Sequence, residues 1–279
     1  MKPPIGRDTR LCMSLSARPG NAGSRFHNRL YELMGLDYVY KSFSTTDLPA
    51  AIGGIRALDI RGCAISMPFK EAVIPLIDDL EASAQAIDSV NTIVNDGGRL
   101  TGYNTDYVAV RDLLNRRIDR PVPFLLRGSG GMAKAVAAAL RSAGFAEGSI
   151  IARNEAAGRA IAEQYSYDWQ AELPAEGAAL LINVTPLGMT GKDADALAFP
   201  ASHIASCEVV FDVVAQPVET PFIREARRQG KSIITGGEVI VLQALEQFVL
   251  YTGIRPGIAD IRAASDYAHG PEVAERIAG

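Results

Sequence analysis

Sulfur and imidazole are scarce in this chain, and their scarcity excludes several chemistries at once. Among 279 residues there are three cysteines and three histidines. Cys12, Cys63 and Cys207 lie far apart, two of them in apolar strand-like runs, a pattern of buried free thiols in a reducing compartment. His27, His203 and His269 show no ligand spacing with them, so no metal centre is expected. A basic surplus is also lacking: Lys+Arg 28 against Asp+Glu 32 leaves a net charge of -4 and no electrostatic footprint for nucleic acid. No apolar run approaches the ~18 residues of a membrane span. The polar start Met1–Arg10, with Pro3 and Pro4, does not read as a signal peptide, so a cytoplasmic protein without a membrane partner is expected. Neither a Ser-His-Asp nor a Cys-His arrangement is evident, and there is no internal repeat or low-complexity tract.

What is present is ordinary for a globular enzyme: hydrophobic content of 48% and charged residues at 22%. The length favours one large or two modest domains. Residues 9–15 and Asp37–Phe43 read as strands, with helical spacing of Phe26, Leu30, Leu33 and Met34 between them. Thr45 and Thr46 start a helix carrying Leu48, Ile52, Ile55 and Leu58, and a buried strand at 61–66 follows. This alternation predicts a parallel α/β sheet. Beyond it, Val73, Leu76, Ile77 and Leu80 suggest a short helix interrupted near Pro75. Ser89–Asn95 and Arg99–Tyr103 flank a hairpin turn at Asp96-Gly97-Gly98. From Pro121 a second α/β unit begins, with apolar runs at Val122–Leu126, Ser149–Ala152, Leu180–Val184, Val209–Val214 and Ser232–Thr235. Gly237–Tyr251 and Ile258–His269 are helical, with no further strand, and are expected to pack back on the first domain.

The run Val122–Leu126 leads into Gly128-x-Gly130-x-x-Ala133 and then into an alanine-rich helix. Strand, glycines and helix in that order are the context of a dinucleotide loop. The first glycine makes the turn, the second admits a pyrophosphate to the backbone, and Ala133 keeps helix and strand close. The next strand ends in Arg153-Asn154, and a guanidinium suits a 2′-phosphate where a carboxylate would suit a free ribose hydroxyl. Glu155 stands beside them, so NADP is expected and NAD stays possible.

The first domain offers Ser14, Ser16, Ser66, Lys70, Asn91, Asn104 and Asp106, several of them at predicted strand ends. Ser14 and Ser16 point the same way in an extended segment, where they could hold a small polar ligand or cap the following turn. Lys70 follows Met67-Pro68 at a strand end, either held in a cleft for proton transfer or solvated on a surface helix. Asp106 opens a helix, where an N-cap is the common role. A dinucleotide domain joined to a Lys/Asp candidate pair suggests hydride transfer at a carbonyl or alcohol.

Taken in order, Ser14-Leu15-Ser16, Ser66–Glu71, Val90-Asn91-Thr92, Tyr103–Asp106, Gly128–Gly131, Asn183–Met189, and Gln243-Ala244 with Gln247-Phe248 resemble the signature segments of shikimate dehydrogenases. The resemblance covers essentially the whole chain. The start Met13–Ser16 and the segment Phe211–Ala215 look closest to the shikimate dehydrogenase-like subgroup. It implies two α/β domains: a substrate domain of residues 1–106 completed by helices in 239–279, and a Rossmann-type NADP-binding domain of residues 107–238. It implies reversible NADPH-dependent reduction of 3-dehydroshikimate to shikimate, with Lys70 and Asp106 as the catalytic pair. Ser14, Ser16, Ser66, Asn91, Asp106 and Gln243 would hold the substrate, a small cyclic hydroxy acid. Gly128, Ser129, Gly130, Gly131, Met132, Ala133, Arg153, Asn154, Thr185 and Gly236 would hold the cofactor. A monomer or homodimer with no macromolecular partner is expected.

Three departures from the family pattern stand out. Ala17–Phe26 is longer than the usual Ser-Pro-x-x-His-Asn connection. Val214-Ala215 follows Phe211-Asp212 where the family commonly has a tyrosine, and Ala157 stands at its second phosphate-binding arginine. The first two admit another cyclic polyol acid such as quinate as substrate. A weakly active nucleotide-binding paralogue is the rival of another class.

Overall fold

Along Arg10–Ser16 the side chains alternate, so Met13 and Leu15 enter one core while Cys12, Ser14 and Ser16 face the other way. The computed structural model describes residues 2–275 and divides them into two compact units, one of residues up to 105 together with those from 241 onward, the other of 106–240. Both divisions fall within helices.

In the first unit β1 (Arg10–Ser16), α1 (Ala22–Leu33), β2 (Tyr38–Ser44), α2 (Leu48–Ala57) and β3 (Gly62–Ile65) follow one another as the alternation predicted. They are succeeded by α3 (Phe69–Ala72), a single 3-10 turn at Ile74–Leu76, β4 (Asp79–Leu80), α4 (Ala82–Gln85), β5 (Thr92–Asp96) and β6 (Arg99–Tyr103). The sheet order is β2-β1-β3-β5-β6-β4. Its first three strands are parallel, whereas β5 runs antiparallel to β3 and β6, as the Asp96-Gly97-Gly98 turn requires. The sheet is therefore mixed: its opening three strands are parallel, as their alternation with helices predicts, and the hairpin adds the antiparallel pair.

Details of the predicted elements shift for local reasons. The cap of α2 is Asp47, whose carboxylate accepts the Ala50 N–H at 3.0 Å, so neither Thr45 nor Thr46 starts the helix. Leu58 is its C-cap and is exposed. Leu80 belongs to the edge strand β4 instead of a helix, because the helical run breaks at Pro75.

One face of this sheet is packed by Ile52, Ile55, Ile65, Val73, Ile93 and Leu100. On the other lies an aromatic layer around His27, which is fully buried and stacks on Tyr40 with ring centroids 4.4 Å apart. Burial pushes the His27 imidazole down to about 3, so it is neutral in the fold. Tyr251 closes the layer. A Cβ on Gly62 would lie only 2.1 Å from the Tyr251 ring, so the close approach of strand and ring requires glycine there.

α5 (Thr105–Arg117) leads into the second unit. Its elements are β7 (Phe124–Arg127), α6 (Gly131–Ser142), β8 (Gly148–Ile151), α7 (Glu155–Tyr165), β9 (Asp168–Gln170) and β10 (Leu180–Asn183). After these come α8 (Ala201–Ser206), β11 (Val209–Asp212), α9 (Pro221–Arg228) and β12 (Ser232–Thr235). The strand order is β12-β11-β10-β7-β8-β9 with every neighbouring pair parallel, which is the doubly wound Rossmann arrangement. The short strand β9 was not anticipated from the sequence, since Asp168-Trp169-Gln170 carries no apolar run. β7, β10 and β11 are almost wholly buried, as continuous apolar runs demand.

The long helix α10 (Gly236–Thr252) crosses from the second unit to the first, followed by α11 (Ile258–His269) and α12 (Pro271–Ala274). α11 packs on α1. All three cysteines are buried free thiols. Among the described residues no helix is long and apolar enough to cross a membrane.

Candidate functional site

In the first unit, Ser14, Ser16 and Ser66 lie at or near the carboxyl ends of β1 and β3, with Lys70 and Asn91 next to them in the chain trace. Ser14 and Ser16 share one side of β1, Ser16 buried and Ser14 half-buried. Neither caps a turn into α1, whose start has no side-chain cap. The Ser66 N–H donates to the Leu15 carbonyl at 2.9 Å, which places Ser66 beside the end of β1 with its side chain exposed. The Ser66 carbonyl accepts from Phe69 N–H at 2.9 Å, so the chain turns at once into α3 and its half-buried Lys70. Lys70 is thus neither in the core nor free on an outer face. Its carbonyl accepts the Val90 N–H at 2.8 Å, tying α3 to the residue before Asn91.

Asn91 is buried at the entry to β5, next to the end of β3: its carbonyl accepts the Ile65 N–H at 2.8 Å. Its side-chain oxygen accepts the Thr105 N–H at 2.8 Å and the Thr92 hydroxyl at 2.8 Å, and its amide donates to Thr105 Oγ1 at 3.0 Å. The Thr105 hydroxyl also lies 3.5 Å from Gln243 Oε1, and Gln247 donates to Thr92 Oγ1 at 3.0 Å. Thr105 is a hub that sequence reasoning missed; its only signal was its place in Tyr103–Asp106. The next residue, Asp106, is buried in the first turn of α5. It is not the N-cap, because α5 already begins at Thr105.

In the second unit a cleft of about 980 Å³ opens at the carboxyl ends of β7, β8 and β10. The strand order reverses there, between β7 and β10, and open α/β sheets bind ligands at that crevice. Gly128, Ser129, Gly130, Arg153, Asn154 and Thr185 all line it. Gly128 has φ +128°, and a Cβ on it would lie 2.7 Å from Val184 Cγ2, so glycine is needed for both the turn and the space. Asn154 caps α7 by accepting the Ala157 N–H at 3.1 Å. Thr185 donates to the Asn183 side chain at 2.6 Å and accepts the Leu187 N–H at 3.2 Å, which shapes the cleft wall.

Gly131, Met132, Ala133 and Gly236 are not on the cleft wall. Ala133 is fully buried in α6, consistent with the spacer role that its place in the loop suggested. Gly236 begins α10, where a Cβ would fall 2.3 Å from the Val213 carbonyl oxygen; its demand for glycine is a packing one. Glu155, which left the cofactor choice open, is engaged by Arg159 at 2.8 Å. The cleft also has Arg127, Glu172, Lys192 and Asp193 on its wall, none of them chosen from the sequence. Arg127 did carry a signal, as a charge ending an apolar strand.

Below this region Asp212 is buried at the end of β11. It accepts from Thr220 Oγ1 at 2.6 Å, Val214 N–H at 3.1 Å and Asn183 Nδ2 at 3.0 Å, which fastens the connection from 212 to 220. Burial pushes its carboxyl up to about 6 against these hydrogen bonds. No group of three or more metal-ligating side chains occurs among the described residues.

Comparison with known proteins gives consistent matches. The family model described as the shikimate dehydrogenase substrate binding domain matches residues 22–93. A shikimate dehydrogenase-like protein of Haemophilus influenzae is 52% identical over 266 residues, 95% of this chain and 98% of its own. The shikimate 5-dehydrogenase of Thermus thermophilus, solved in complex with NADP(H) and shikimate, superposes with a TM-score of 0.82 at 30% identity, covering 93% of this chain and 99% of that one. The quinate dehydrogenase of Corynebacterium glutamicum, solved with NAD, superposes with a TM-score of 0.82 at 25% identity, covering 92% and 98%.

Proposed function

The chain belongs to the shikimate dehydrogenase family, and we propose that it is an NADP-linked oxidoreductase interconverting 3-dehydroshikimate and shikimate. The observation that carries this reading is the cleft at the reversal of strand order, lined by Gly128, Ser129, Gly130, Arg153 and Thr185. Its wall fits the group: Gly128 and Gly130 bring backbone without side chains to the cleft, and Gly130 is the N-cap of α6, a helix start with no side-chain cap that favours a pyrophosphate. Arg153, at the end of β8, suits the 2′-phosphate.

Bound NADP supplies the hydride acceptor in one direction and the hydride donor in the other. The rest falls to the chain's own side chains. Lys70 gives a proton to the oxygen of the ring carbon being reduced and takes it back in the reverse direction. Asp106 orients Lys70 and the substrate. Ser14, Ser16, Ser66, Asn91 and Gln243 hold the carboxylate and hydroxyls. The support for this division is that Ser14, Ser16, Ser66, Lys70 and Asn91 lie around the carboxyl ends of the neighbouring strands β1 and β3. Asn91 and Gln243 are further linked through Thr105.

A second reading, a quinate-type substrate, is favoured by Val214-Ala215 after Asp212 and by the long Ala17–Phe26 connection. A spectrophotometric grid of NADP and NAD against shikimate and quinate separates the two. Highest kcat/KM with NADP and shikimate supports the first. Preference for quinate supports the second, and cofactor binding without turnover of either acid would overturn both.

A further inference from the structure

We propose that Arg127 is a second phosphate-binding cation of the cofactor cleft, acting beside Arg153 to select a cofactor with a 2′-phosphate. This rests on the reading that the cofactor is NADP. β7 is an apolar strand with Phe124, Leu125 and Leu126 all buried, yet it ends in an arginine whose register partners are Ile151 and Asn183. Such a strand has no packing use for a guanidinium. Arg127 is half-buried, and it donates from Nη1 to the Ala198 carbonyl, which fixes one corner of the fork and leaves the head on the cleft wall.

Arg153 lines the same cleft at the end of the adjacent strand, and the two guanidiniums lie within electrostatic reach of each other. Burial first, and then the charge of Arg153, hold the Arg127 pKa below its ordinary value. Like charges placed together in a partly desolvated wall are unfavourable unless an anion answers them.

No carboxylate of the described residues does so. Glu172 and Asp193 line the cleft but form an ion pair with neither arginine. Glu155 is bound to Arg159, whose guanidinium lies 4.2 Å from the centre of the Trp169 ring, so that arginine is not available to the cleft. Two cations on one wall, neither of them ion-paired to an acid, match a phosphate monoester, which carries about -1.5 to -2 at neutral pH. The pyrophosphate is served elsewhere, by backbone N–H groups at the start of α6, whereas the carboxyl end of β8 is where the ribose 2′ substituent falls.

The test is equilibrium binding, with no turnover required. NADPH and NADH are titrated by nicotinamide fluorescence, and 2′,5′-ADP and 5′-AMP by calorimetry, against the wild type, Arg127→Gln, Arg127→Lys and Arg153→Gln. The wild type should prefer NADPH and 2′,5′-ADP. In Arg127→Gln their Kd should rise about 10- to 100-fold, the range for one charged hydrogen-bonding group, while NADH and 5′-AMP change less than about threefold. Arg127→Lys keeps the charge but loses the fork, and should lose part of the preference. If either Arg127 variant binds NADPH as the wild type does, or loses NADPH and NADH equally, the proposal is overturned. A Gln variant that does not fold leaves the decision to the Lys variant. If the wild type itself does not distinguish the two cofactors, the NADP reading fails, and that is seen before any variant is made.

Discussion

The side-chain oxygen of Asn91 accepts the backbone N–H of Thr105 at 2.8 Å, so a residue at the entry to one strand holds the first turn of α5. The same amide donates to the Thr105 hydroxyl at 3.0 Å. Asn91 is therefore committed to the fold as well as being a candidate for substrate contact. Replacing it by alanine strands a buried donor. Asn91→Ala should lower stability by about 1–3 kcal/mol, read as a drop in the urea midpoint at unchanged slope. An unchanged midpoint would mean that the strand ladder alone positions Thr105.

Lys70 and Asp106 can be tested apart from the fold. Lys70→Ala and Asp106→Asn should each reduce kcat about 10²- to 10⁴-fold, the usual loss for general acid–base groups. Affinity for NADPH should stay within a few-fold, since neither side chain lines the nucleotide cleft. Near-normal turnover of the preferred substrate by Lys70→Ala would remove it from the mechanism.

Gly128 is constrained twice, by φ +128° and by Val184 Cγ2, which lies 2.7 Å from where a Cβ would stand. Gly128→Ala should cost about 1–3 kcal/mol of stability and weaken NADPH and NADH alike, because the displaced turn serves the part common to both. A fluorescence titration showing loss of NADPH alone would contradict that.

Two buried groups give the units opposite responses to acid. His27 is pushed down to about 3 from 6.5, so between those values the unfolded chain takes up a proton that the fold refuses. Its contribution is intact above pH 6.5 and declines as the pH falls, by at most about 1.4 kcal/mol per unit. Asp212 is pushed up to about 6 from 3.8, so the folded state keeps a proton there that the unfolded chain has released. That contribution is complete below pH 3.8 and is lost as the pH rises through 6. Hydrogen exchange resolves the units separately. From pH 7 to 5, protection around His27 should fall and around Asp212 should rise, with His27→Phe and Asp212→Asn each flattening its own trend.

Much of this protein can be read without coordinates because its signals are local. Proline at 75, glycines at 97 and 98, and the apolar run before Gly128 act through steric and desolvation effects that reach only a few residues. They suffice for the α/β alternation, and they are what proposes the dinucleotide loop and the candidate pair Lys70 and Asp106. Short edge strands such as β9 escape this reading, since an edge needs little apolar surface of its own.

What tertiary structure alone decides is partnership across distance in sequence. Thr105 becomes a hub because Asn91 and Gln243 are brought to it, and Gly62 must be glycine because the Tyr251 ring arrives from the far end of the chain. The role proposed for Arg127 rests likewise on the fold, because the neighbouring strand brings Arg153 to the same cleft wall. Backbone and turn preferences are written residue by residue. Charge compensation and burial depend on which segments pack together, and that is settled only when the whole chain has folded.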